Sequence, residues 1–311
     1  MAILIDIAKK IGITYDVILK IHLLGLKFGI QVLPNHYHSS VADITSLKRK
    51  KEIWAKKSDL PGIASDLDEQ VENIREICLP YQNEYIGNAN YLTGVAEHFG
   101  PGFGPIEAQA LHAVIRHYKP NRIIEIGSGV STYCSLKAIE INGYGEMTCI
   151  EPYPSDKIRM LPNIKLIEQE AQTITLETFT DLDNGDLLFI DSSHTVKPGS
   201  DVNFIILEVL PRLKKGVIVH FHDIFLPYDY QIDILYAFFQ WSETSLLRAF
   251  LINNSKAKII FCLSQLYYDR ETALSEVFPE YNPMTVVDGL IKEPRSEWTG
   301  HFPASIYIQI S

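Results

Sequence analysis

Arg122-Ile-Ile-Glu-Ile-Gly-Ser-Gly-Val-Ser-Thr132 is the stretch on which the fold turns. A continuous strand-like run, polar only at Arg122 and Glu125, passes straight into Gly127-Ser128-Gly129, and a helical pattern follows at once. Glycines at such a turn allow positive φ and close approach of the backbone to a ligand. The helix that begins there offers free N–H groups. Outward from this unit, short apolar runs alternate with helical stretches. The strand candidates are Arg122–Ile126, Met147–Ile150, Ile164–Ile167, Asp186–Ile190, Gly216–His220, Lys258–Leu263 and Ser305–Gln309. Helices are expected over Ser131–Ile141, Ser200–Leu213 and roughly Ile232–Leu251, with another over 105–118 that carries proline in its first turn. Strands alternating with helices predict a doubly wound α/β domain, its seven-stranded sheet mainly parallel and covered on both faces.

Before residue 101 the pattern is helix and loop without strands. Ile3, Leu4, Ile7, Ala8 and Ile11 form one amphipathic stripe, and Val17, Ile18, Ile21, Leu24 and Phe28 another. Asp43 or Thr45 is placed to cap a helix running through Trp54, Leu60-Pro61-Gly62 breaks it, and residues 66–79 read as helix again. This divides the chain into an N-terminal helical lid or substrate region, 1–100, and a catalytic domain, 101–311.

The chain has 311 residues, is 46% hydrophobic and carries a formal net charge of -10. It has enough apolar content for a full core and is too acidic for general nucleic-acid binding. The basic stretch Lys48 to Lys57 reads as a solvated helix face. Four cysteines, Cys78, Cys134, Cys149 and Cys262, are widely spaced with no CxxC pair, which fits buried thiols in a reducing cytoplasm. The N-terminus lacks the apolar core of a signal peptide, and no apolar run reaches the ~20 residues of a membrane span. The expectation is a cytoplasmic protein with no membrane partner. Dimerisation through the helical extension is left open.

The ends of three strands carry the polar groups. Thr148-Cys-Ile-Glu151 closes the second strand with an acid, about twenty residues after the glycine turn, where a carboxylate can accept both hydroxyls of a ribose. The fourth strand ends at Asp191 and leads to Ser192-Ser193-His194, and the fifth leads to His222-Asp223. In a parallel sheet these ends converge on one ligand crevice. His220 alternates with His222, so both point to one side, and His220 reads as a satisfied buried histidine. Asp201 reads as a helix N-terminal acid.

Glu125-Ile-Gly-Ser-Gly-Val-Ser-Thr132, lacking a third glycine and carrying an acid inside the strand, resembles motif I of the class I S-adenosylmethionine-dependent methyltransferases. The resemblance extends over roughly residues 100–310. It implies a cofactor site lined by Glu125, Gly127, Ser128, Gly129, Ser131 and Glu151, with Gln172 near the adenine and Asp191 at the edge. The polar cluster resembles that of natural-product O-methyltransferases, the macrolide-sugar O-methyltransferases and the cephalosporin-hydroxylase-like group, which bind magnesium. On that resemblance Asp191 and Asp223 are Mg²⁺ ligands. His222 stands where the first acid of the family's pair would be, so magnesium and metal-free histidine catalysis both stay open. Catalysis is assigned to His194, His222, Asp191 and Asp223, histidine having the pKa range of a base for a hydroxyl proton. His38, Tyr91, Tyr228 and Tyr230, in aromatic loops, are the candidates for holding a small-molecule acceptor. The leading expectation is O-methylation of a hydroxyl on a polyketide, peptide or sugar. The alternatives are an N-methyltransferase and a nicotinamide-dependent oxidoreductase, the latter disfavoured by Glu125 and the missing glycine.

Overall fold

The computed structural model describes residues 15–36, 38–100, 102–292 and 299–311. The chain divides into two compact units, 1–54 and 55–311. The first contains the helix Tyr15–Leu26, which carries Val17, Ile18, Ile21 and Leu24 of the second apolar stripe; the first stripe, Ile3 to Ile11, lies outside the described residues. Asp43 caps the next helix by accepting from Thr45 N at 2.9 Å, but that helix stops at Arg49 and a separate turn, Lys51–Trp54, follows.

The larger unit is built on one sheet of seven strands in the order β3-β2-β1-β4-β5-β7-β6. The strands are β1 Arg122–Ile126, β2 Glu146–Ile150, β3 Lys165–Ile167, β4 Leu187–Ile190, β5 Ile218–His222, β6 Ala257–Cys262 and β7 Ser305–Ile310. The first five are parallel, and β7 runs antiparallel between β5 and β6. This is the class I methyltransferase arrangement expected from the sequence. Alternation along each strand separates two cores. Ile123, Met147, Cys149, Leu187 and Phe189 face one layer, which includes the helix Pro105–Tyr118. Ile124, Ile126, Ile150, Leu188 and Ile190 face the other.

Three expectations change. The fifth strand is displaced toward its C-terminus, because Gly216 is a turn residue at φ 89° whose added Cβ would overlap the Asn184 side chain. His222 is therefore the last residue of β5 rather than a loop residue. The expected helix over 232–251 exists only as Glu243–Leu251. Residues before it turn repeatedly, because Ile232 and Trp241 bury against Phe225, Met284, Ile291 and Phe302 in a third apolar cluster. That tertiary demand overrides a helical pattern. In addition, residues 55–100, read from sequence with the N-terminal region, belong to the larger unit: Leu67–Cys78, capped by Asp66, packs against β6 and buries Val71, Ile74 and Ile77.

A candidate cofactor cleft beside an acid and histidine cluster

The C-terminal ends of β1, β2 and β4 are tied by backbone bonds. Gly127 N donates to Ile150 O at 3.0 Å, and Asp191 N donates to Ile126 O at 2.8 Å. Gly127 has φ 84°, and a Cβ there would sit 2.2 Å from Asp191 O. Only glycine fits this conformation against that carbonyl. The result is a cleft of about 490 Å³ lined by Gly127, Glu151, Gln172 and Asp191 among others. The Glu151 carboxylate sits on its rim, accepting from Tyr153 N at 2.7 Å. Asp201 also lines the cleft; it opens the helix after Ser200 and accepts from Ser193 N and Ser193 Oγ.

The other expected cofactor residues lie beneath this surface. Glu125 is fully buried, accepting from Ser131 Oγ and Thr132 Oγ1, each at 2.6 Å. Thr132 Oγ1 in turn accepts from Gly129 N at 3.0 Å. Glu125 sits on the strand face that looks into the helical layer, so its carboxylate anchors the first turn of the helix Val130–Asn142 instead of lining the cleft. Burial pushes its carboxyl up to about 7, against the Ser131 and Thr132 hydrogen bonds. Ser131 is likewise a structural partner of Glu125. Gly129 packs near Gly100, and the Ser128 hydroxyl is buried without a hydrogen-bond partner among the described residues, a polar group suited to a ligand at this turn.

Next to the cleft lies a cluster of acids and histidines. His194 Nε2 is 3.3 Å from Asp191 Oδ1 and 3.6 Å from Asp223 Oδ2. His222 Nδ1 faces the same two carboxylates at 3.4 and 3.5 Å. His194 and Asp223 both hold positive φ, 56° and 55°, which is uncommon for residues other than glycine and is associated with functional sites. Burial would raise Asp191, but the His222 charge and hydrogen bonds from both imidazoles hold it well below the usual carboxylate range. Burial raises Asp223 despite the same histidines. Burial disfavours a charged His222, yet Asp223 and Asp191 outweigh it and lift the ring to about 9. His194 is raised well above its ordinary value against burial, by Asp191, Glu243 and Asp223.

His220 is buried as expected but only half satisfied: it stacks between Phe189 and Tyr307 at 4.3 and 4.1 Å, its Nε2 meets Ser305 Oγ at 3.0 Å, its Nδ1 has no hydrogen-bond partner among the described residues, and burial pushes it well below its ordinary pKa. The proposed acceptor residues are engaged elsewhere. Tyr228 is buried against Tyr230 and Tyr268, and Tyr230 donates to Asp288 O. Tyr91 donates to Phe103 O at 3.2 Å, which touches the cluster indirectly, since the Phe103 ring lies 5.1 Å from His222. His38 belongs to the N-terminal unit, its ring 5.1 Å from that of His36.

Sequence reasoning missed two carboxylates. Glu243 accepts from Ser192 Oγ at 2.9 Å and from His194 Nδ1 at 2.8 Å. Glu107 is fully buried, accepting from Ala304 N at 2.8 Å and pairing with His301 Nε2 at 2.6 Å. Burial would raise Glu107, but His301 more than offsets it. No spacing links either acid to its partner; the only signal for Glu107 was an acid among the apolar residues of a helix start.

Residues 124–224 match the family described as a methyltransferase domain. An uncharacterized protein of Archaeoglobus fulgidus is 34% identical over 165 residues, 48% of this chain and 73% of that protein, which makes the two members of one family. Among solved structures, the S-adenosylhomocysteine-bound methyltransferase PaMTH1 of Podospora anserina aligns with 90% of this chain and 99% of its own, at 16% identity and a TM-score of 0.39. The O-methyltransferase TomG of Streptomyces achromogenes, involved in tomaymycin synthesis, aligns with 86% of this chain and 96% of its own, at 13% identity and a TM-score of 0.41. Among the described residues no helix is long and apolar enough to cross a membrane. With its methyltransferase-domain match laid over the glycine turn and the polar strand ends, the chain belongs to the class I S-adenosylmethionine-dependent methyltransferase superfamily.

Proposed function

We propose that this enzyme methylates a hydroxyl group of a small organic acceptor, with His194 as the base. The observation that carries the reading is the double role of Asp191, which lines the cleft and also pairs with His194 and His222. Asp191 is thus the residue common to the cleft and to the surroundings of the proton acceptor. S-Adenosylmethionine supplies an electrophilic methyl group on a cationic sulfur. The acceptor oxygen forms the new C–O bond as the C–S bond breaks, its electron pair staying on sulfur. The hydroxyl proton passes to His194 Nε2. Engaging a cation at Asp191 weakens that carboxylate's hold on the imidazole proton, which supplies the neutral ring the step needs. Glu151 suits the ribose hydroxyls, the Gly127 turn suits the amino-acid tail, and Gln172 suits the adenine edge.

A second reading rests on Asp191, His194 and Asp223, whose ligand-type atoms all lie within 4.8 Å of one another. Magnesium favours oxygen ligands and water, and here two imidazoles crowd the two aspartates, so metal-free catalysis by histidine is preferred. The test is transfer of labelled methyl from S-adenosylmethionine to a panel of phenols, sugar alcohols, polyketide alcohols and amines, with and without EDTA. The proposal expects O-methylated product that survives EDTA. Product on amines alone supports the N-methyl reading, and loss with EDTA restored by a divalent ion supports the metal reading. No transfer together with nicotinamide-cofactor binding overturns both.

A further inference from the structure

We infer that Glu243 is the positioning residue for His194, fixing its proton on Nδ1 so that Nε2 is presented to the reaction centre. The inference rests on the reading of His194 as the base. It concerns a residue outside both the glycine turn and the segment that matches the family.

Glu243 is buried, and both of its oxygens are used: Oε1 accepts from Ser192 Oγ at 2.9 Å and Oε2 faces His194 Nδ1 at 2.8 Å. An ionised carboxylate only accepts, so the hydrogen in that contact belongs to Nδ1. The partner of one ring nitrogen determines what the other does. Nε2 is thereby turned toward Asp223 Oδ2 and toward Asp191 Oδ1, and Asp191 lines the cleft.

The residues around Glu243 hold His194 from further directions. Ser242 N and Glu243 N both donate to His194 O, at 2.8 and 3.1 Å. Ser242 Oγ accepts from Val196 N at 2.8 Å, and the Trp241 ring lies 4.6 Å from the imidazole. These contacts stabilise the left-handed backbone of His194, which a non-glycine residue does not adopt freely. A segment with a purely structural task could grip the backbone alone. The carboxylate on Nδ1 adds control over which nitrogen gives up its proton when the ring becomes neutral.

The test is nitrogen-15 correlation spectroscopy of the histidine rings in the full chain, with His194 assigned through H194N. In the wild type, at a pH high enough to neutralise the ring, the one remaining hydrogen is expected on Nδ1. A neutral ring with its hydrogen on Nε2 overturns the inference, and this arm needs only the H194N assignment variant to fold, not a change at Glu243. In E243L the Nδ1 partner is gone, and the neutral ring is expected to move its hydrogen to Nε2 beside Asp191. In E243Q the amide oxygen still accepts, and Nδ1–H is expected to return. An E243L spectrum identical to wild type also overturns the inference. Calorimetry with S-adenosylhomocysteine reports separately: no binding by the wild type sinks the methyltransferase reading, whatever the ring spectra show.

Discussion

The turn after β1 and the ends of β4 and β5 both bring polar groups to the crevice edge, by opposite means. At the first, Gly127 takes a positive φ without steric strain, and the backbone itself makes the surface. At the second, His194 and Asp223 take the same kind of conformation with full side chains, and a distant segment holds His194 there. Glycine-based shape is local. Shape imposed on His194 is tertiary, and depends on Trp241, Ser242 and Glu243 about fifty residues later. The same contrast separates two buried acids. Glu125 lies only six and seven residues from its partners, Ser131 and Thr132, whereas Glu243 joins two elements far apart in sequence.

Breaking the local side of this contrast gives the largest effect. In G127A the new methyl meets Asp191 O while φ stays positive, so a loss of about 3–4 kcal/mol in stability is expected, with loss of cofactor binding. Chemical denaturation and calorimetry check it; a fully stable, binding-competent G127A would show that the turn is not confined. Next is E125Q. The Glu125 pKa rises from 4.5 to about 7 on folding, so the native state retains a proton that the unfolded state releases between those values. That contribution is fully present below pH 4.5 and is lost as pH rises through 7, whereas glutamine stays neutral. E125Q should therefore gain on the wild type by up to about 3 kcal/mol on going from acid to pH 8. Denaturant midpoints at several pH values check this, and a pH-independent difference would remove the buried carboxyl from the account.

What the sequence made legible follows the same division. Arg122–Ile126 and its glycine turn were readable because apolar run, turn chemistry and helix start are adjacent in the chain. Glu151 and Asp191 were readable because strands in a parallel sheet end on one edge. Glu125 was seen but given the wrong surroundings: strand alternation points it into the helical layer, and its acid character was read as facing a ligand. Tyr228 and Tyr230 follow Asp223 closely in an aromatic loop, yet the chain turns them into a cluster with Tyr268. Glu243 and the Glu107–His301 pair were invisible, since no periodicity encodes a contact between residues 49 or 194 positions apart.

The central claim is that the cleft between Gly127, Glu151 and Asp191 receives the adenosyl group. Titration calorimetry with S-adenosylhomocysteine, on wild type and E151A side by side, tests it most directly. The account predicts saturable binding by the wild type well below about 1 mM. It predicts that E151A weakens binding by about 2 kcal/mol, roughly 30-fold, through loss of the charged acceptor on the rim. A wild type that gives no heat at millimolar ligand, or an E151A curve that superimposes on it, would contradict the account.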